Sequence, residues 1–132
     1  MVTGPSSNYG TEEEKNKIRK IVEQRGLAGV ANTTKWNELL TFMRERDGWT
    51  PSFKTKWLIN GYVSDWDSEW WYHPSTIPFV GVEWLDMRLS PGEDDSWITE
   101  KLKSIGLDHE KVGDIIRVWG YHPKSYDGLE GH

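Results

Sequence analysis

The order of helix and strand signals predicts an α+β fold, with an antiparallel sheet of about four strands, two N-terminal helices and one helix before the last strand. Three observations predict it. Apolar residues recur at helical spacing within residues 12–46 and again within 90–105. Aromatic and β-branched runs fill residues 54–73, 79–89 and 114–121, and such residues favour a pleated, half-buried surface. Gly and Pro punctuate the boundaries between these blocks, so strands follow strands without the regular helix alternation of a parallel sheet.

Residues 1–10 are small, polar and rich in breakers and read as a disordered leader. Thr11-Glu12-Glu13-Glu14 is a capping box, with acids in the turn where the helix dipole favours them. Ile18, Ile21 and Val22 give the following helix, about 12–25, a narrow apolar stripe, and Gly26 ends it. Residues 26–32 are expected as a loop. Thr34 is expected to cap a second helix, in which Trp36, Leu39, Leu40 and Met43 fall on one face and Asp47-Gly48 marks the stop.

Lys54–Ile59 reads as the first strand, and a tight aromatic meander follows through His73. Asn60-Gly61 suits a type I′ turn, and Asp67-Ser68 a second turn. Phe79–Leu89 is the next strand. Ser90-Pro91-Gly92-Glu93 reads as a helix start, with Ser90 as N-cap and Pro91 at the first position, where its missing N–H costs nothing. Ile98, Leu102 and Ile105 line that helix, Gly106 terminates it, and Leu107–Glu110 is a turn. Asp114–Tyr121 is the last strand, and residues 123–132 are expected to fray. The domain is thus placed at 11–122.

Composition narrows the functional classes. At 132 residues the chain has the size of one domain. It has no Cys, which excludes disulfides, thiolate metal sites and a Cys nucleophile, and fits a cytoplasmic setting. No signal peptide is visible, and no run reaches the roughly 18 apolar residues of a membrane helix. The net charge of −5 and two short basic clusters, Lys15–Lys20 and Lys54–Lys56, speak against nucleic-acid binding, which needs a basic footprint. Nine Trp form the compositional outlier.

The stretch Asn60–His73 concentrates the chemistry. Asp65, Asp67, Glu69 and His73 carry oxygen and imidazole groups suited to a divalent cation or an acid–base pair. The plain reading is that these acids form turns and a solvated face. Trp66, Trp70, Trp71, Trp84 and Trp119 supply large rigid area of the kind found at interface hot spots, or else form core. Adjacent Trp70 and Trp71 face opposite sides of a strand, so one of them stands on the open side if helices cover only one face. Arg117 is expected in a structural cross-strand pair, with Glu83 as the partner considered. No Ser/His/Asp order, zinc-helix spacing or phosphate loop occurs.

Several runs resemble a family of small, uncharacterised bacterial domains: Lys35-Trp36-Asn37-Glu38-Leu39, Gly61-Tyr62-Val63-Ser64, the Trp-Asp-x-Glu-Trp-x-Tyr-His run from Trp66 to His73, Val82-Glu83-Trp84-Leu85 and Ile116–Tyr121. The resemblance covers residues 33–122, with Ser68 where a Gly is expected and the first helix as an added extension. It implies no catalytic residue, metal or cofactor. By analogy with small cytoplasmic domains that act as immunity proteins, the expectation is a protein-binding module that inhibits a toxin, with Asp65, Trp66, Asp67, Glu69, Trp70 and Trp119 facing a basic protein partner. The alternative is a small-ligand or metal-dependent enzyme domain using Asp67, Glu69 and His73.

Overall fold

The computed structural model describes residues 12–70 and 79–129. Among these, the chain forms helix α1 (Glu12–Arg25), strand β1 (Ala28–Gly29), helix α2 (Thr33–Glu45), strands β2 (Ser52–Trp57) and β3 (Val82–Arg88), helix α3 (Ser96–Ile105), and strands β4 (His109–Val112), β5 (Ile115–Trp119) and β6 (Tyr121–His122). The fold is α+β, as the sequence predicts. The main sheet is antiparallel with strand order β2-β3-β5-β4, and β1 pairs with β6 in a separate two-stranded ribbon.

Alternation along the strands divides the sheet into two faces. Leu85 and Met87 on β3 pair with Val118 and Ile116 on β5, and Phe53 on β2 pairs with Met87. These residues pack with Trp36, Leu39, Leu40 and Met43 of α2 and Ile98, Leu102 and Ile105 of α3 in the main core. Helix α1 packs apart from it, joining Ile18, Leu58 and Tyr121 in a small second cluster.

Helix boundaries obey local capping chemistry. Asn32, rather than Thr34, caps α2: its side chain accepts the Lys35 N–H at 2.8 Å. Helix α3 starts later than the Ser90-Pro91 signal because Gly92, at φ +87°, leaves the helical region and closes a turn in which Glu93 N–H donates to the Ser90 carbonyl. The start passes to Asp94 and Asp95, and the Asp94 carboxylate accepts both the backbone N–H and the hydroxyl of Ser96. Gly106, at φ +89°, ends α3 as expected.

Two strands lie where the sequence reading placed a loop and a turn. Ala28–Gly29 pairs with Tyr121–His122. His109–Val112 returns through Gly113-Asp114 onto β5, with Gly113 at φ +62°, the conformation that a two-residue hairpin asks of its first loop position. Residues 123–129 do not run free. They cross the second face of the sheet, where their carbonyls are hydrogen-bonded as described below. Among the described residues, no helix is long and apolar enough to cross a membrane.

Candidate functional site

The aromatic stretch begins as β2 ends. Trp57 closes a loop over 58–61, donating to the Tyr62 carbonyl at 2.9 Å and accepting from Gly61 N–H at 3.0 Å. Only Gly61 takes a positive φ, so Asn60-Gly61 is not the expected type I′ turn, which needs positive φ at both positions. Asn60 instead accepts the Tyr62 N–H through its side chain. The chain then runs back along β2 through bridges at Val63 and Asp67 without forming a continuous strand. Asp67 and Phe53 exchange both backbone hydrogen bonds, at 2.7 and 2.8 Å, and Asp67 Oδ1 accepts the Glu69 N–H, giving the expected turn at Asp67-Ser68. This returning segment is the outermost layer beside β2.

The six residues predicted as a contact surface separate. Asp65 and Glu69 are exposed, and Trp66 and Asp67 are half-buried. Trp66 is gripped by two cations, with Lys54 Nζ 4.7 Å and Arg88 Cζ 4.3 Å from its ring centroid. Trp70 is 2 % exposed. It packs on Phe53 with ring centroids 4.3 Å apart, and its indole N–H donates to the Pro51 carbonyl. Trp119 is fully buried. Trp70 and Trp119 are therefore interior residues and offer no surface. The paired argument about Trp70 and Trp71 fails on its premise that one sheet face is open, and Trp71 itself lies outside the described residues. So does His73, which leaves the Asp67–Glu69–His73 set without a described third member. Among the described residues, no three His, Asp or Glu side chains are placed to hold a metal ion.

The second sheet face is covered instead. Register places Asp86 opposite Arg117, and Arg117 Nε and Nη2 donate to the two Asp86 carboxylate oxygens at 2.7 and 2.9 Å. Arg117 Nη1 donates to the Ser125 and Asp127 carbonyls at 3.0 and 2.7 Å, and Trp119 Nε1 donates to Ser125 at 2.9 Å. The guanidinium also stacks 3.5 Å from the Trp84 ring. Every guanidinium nitrogen donates within the protein and Arg117 is fully buried, which makes this a structural cluster out of a substrate's reach. Arg117 thus has the structural role expected, but its partner is Asp86. Glu83 is the extra residue of a β-bulge opposite Lys56 and Trp57, and it pairs with Arg25 of α1 at 3.0 Å and with Lys56 at 3.8 Å. The Arg25 pKa is raised, first by its hydrogen bond to Glu83.

The returning segment is accessible, as are Val80 and Tyr126 elsewhere on the surface. Tyr62 is 56 % exposed and Val63 38 %, beside exposed Asp65. Below Trp66, Arg88 lines an open cleft of about 480 Å³ together with Thr50, Ser52, Ser68, Ser90 and Asp114. Sequence reasoning gave Tyr62 and Lys54 no site role and did not single out Arg88. Alternation along β3 does group Arg88 with Trp84 and Asp86, but its meeting with Trp66 depends on how the segment after Gly61 folds back, which no spacing encodes.

Comparison with curated proteins finds no match, and comparison with solved structures finds none either. The sequence model of a family of unknown function, DUF6678, matches residues 18–125. The match begins inside α1, so that helix is not wholly an extension outside the family. It spans the main sheet, all of α2 and α3, and the first residues of the covering segment, and the chain belongs to this family of unknown function.

Proposed function

We propose that the protein is a binding module that engages another protein through the segment Tyr62–Glu69, in the manner of a bacterial immunity protein acting in the cytoplasm. The observation that carries this reading is the exposure of Tyr62 and Val63 on an outermost segment beside half-buried Trp66. A Trp held in place by Lys54 and Arg88 loses little freedom on binding, which favours its use as an anchor. The outward side of this segment continues no further ladder among the described residues, so an incoming chain finds backbone groups as well as aromatic area. The charge pattern is mixed, with cations against Trp66 and exposed acids at Asp65 and Glu69. A toxin domain with basic groups meeting those two acids is the partner this reading favours.

The test is an affinity capture from the source cell, followed by titration of the purified partner. Tyr62→Ala and Trp66→Ala should each weaken the complex by about 2 kcal/mol if they are hot spots. Val80→Ala, at an exposed position on the 3-10 turn Phe79–Gly81, is the control and should leave it unchanged. Equal affinity across all three variants would remove the Tyr62–Glu69 surface from consideration.

A further inference from the structure

Arg88 and Asp114 line the same cleft, yet neither has an ion-pair partner among the described residues. Arg88 is the more telling of the two. Its guanidinium is oriented by Trp66, and its N–H donors meet no acceptor among the described residues. Asp114 fixes this end of the sheet through its backbone, accepting the Leu89 N–H at 2.7 Å, while its carboxylate is left to the cleft and solvent. The lining mixes the hydroxyls of Thr50, Ser52, Ser68 and Ser90 with the apolar groups of Trp49, Leu89 and Pro91.

We propose that this cleft binds a small α-amino carboxylate, with the carboxylate on Arg88 and the ammonium group on Asp114. The planar fork of a guanidinium matches a carboxylate in two parallel hydrogen bonds, and stacking on Trp66 holds that fork ready. One cation balances one carboxylate. A phosphate dianion would leave a charge unmatched beside Asp114, on a chain whose net charge is already −5. The hydroxyl groups accept or donate as the ligand requires, and serve its remaining polar atoms. This assignment does not rest on the protein-binding reading, since it needs neither Tyr62 nor Val63, although the two sites share the Trp66–Arg88 contact and Ser68.

The experiment is a titration of the full chain followed by NMR, reading the Arg88 Nε–H and the Trp66 indole N–H signals. The probes are glycine, acetate and inorganic phosphate. Saturable shifts are expected in the order glycine, then acetate, then phosphate. Arg88→Ala should weaken glycine binding by about tenfold or more, and Arg88→Lys, which keeps the charge but not the fork, should restore only part of it. Asp114→Asn should abolish the preference of glycine over acetate while acetate itself binds no worse. No saturation by glycine at tens of millimolar, a preference for phosphate, or glycine binding that survives Arg88→Ala would each overturn the assignment. The folded state of every variant is checked in the same spectra through the buried Trp119 indole signal.

Discussion

Arg117 and Asp86 face each other across β5 and β3 as a doubly hydrogen-bonded ion pair with no exposure to speak of, Arg117 being 0 % and Asp86 1 % accessible. A buried pair is costly to assemble and more costly to break, because the surviving partner keeps its desolvation penalty. Arg117→Met is therefore expected to cost about 3–5 kcal/mol. Pairing it with Asp86→Leu should not restore full stability. The Ser125 and Asp127 carbonyls lose their donor in either case, at about 1–3 kcal/mol for a buried group left unsatisfied. Urea unfolding of both variants, read as midpoint and slope, checks both statements.

Trp70 and Trp66 stand four residues apart, and their truncation should differ in its cost to stability. Trp70→Ala empties a core position against Phe53 and is expected to cost about 3–5 kcal/mol of stability. Trp66→Ala removes two cation contacts of about 0.5–1 kcal/mol each and should leave the protein folded. Thermal unfolding separates them. A Trp70→Ala protein as stable as the parent would mean that the Phe53–Trp70 contact is not part of the core.

Gly120 lies where two sheets touch. A Cβ there would sit 2.4 Å from the Val82 carbonyl oxygen, which is backbone and has no rotamer to yield. Gly120 also donates to Glu83 and accepts from Val30, tying the β1–β6 ribbon to β3. Gly120→Ala should cost about 1–3 kcal/mol, as overpacking does. Faster amide exchange is expected at Val30 in particular.

Asp94 gives α3 an acid-sensitive start. Its pKa is lowered, first by the Ser96 backbone N–H and then by the Ser96 hydroxyl. A carboxylate with a folded pKa below its unfolded value of about 3.9 contributes fully above that pH, and the contribution is lost as pH falls through the folded value. The Ser96 amide resonance should titrate with a midpoint below the usual aspartate range, and Asp94→Asn should remove the transition. A midpoint at or above the ordinary value would contradict the Asp94–Ser96 hydrogen bonds.

The parts of this fold that were legible in the sequence are those written in side-chain periodicity. Trp36, Leu39, Leu40 and Met43 lie on one face of α2 because their spacing demands it, and all four are buried. Gly106 ends α3 because only glycine sits easily at its positive φ. The misses share a different physics. Strand β4 has one strongly apolar residue, Val112, and owes its place to pairing with β5. Trp70 and Trp119 carry the same residue-type signal as an interface Trp, and alternation says that neighbours diverge without saying which side is covered. The cover over Trp119 and Arg117 binds through the carbonyls of Ser125 and Asp127, and a carbonyl is present at every residue. Its polar sequence reads as a tail for that reason. The Arg88–Trp66 contact needed the return path after Gly61, a tertiary event between residues far apart in the chain.

The covering segment also sets an order of events in synthesis. When β6 has left the ribosome but Ser125 has not, Arg117 has Asp86 to pair with and no carbonyls for its third nitrogen, and the Trp119 indole has no acceptor. The nascent domain is then complete in its strands and helices while still short of its final hydrogen bonds. A release of stability follows once residues 125–127 have been added, confined to the covering segment. Chains cut before Ser125 would resemble that nascent state, and fusions that strain residues 123–129 would hold the protein near it.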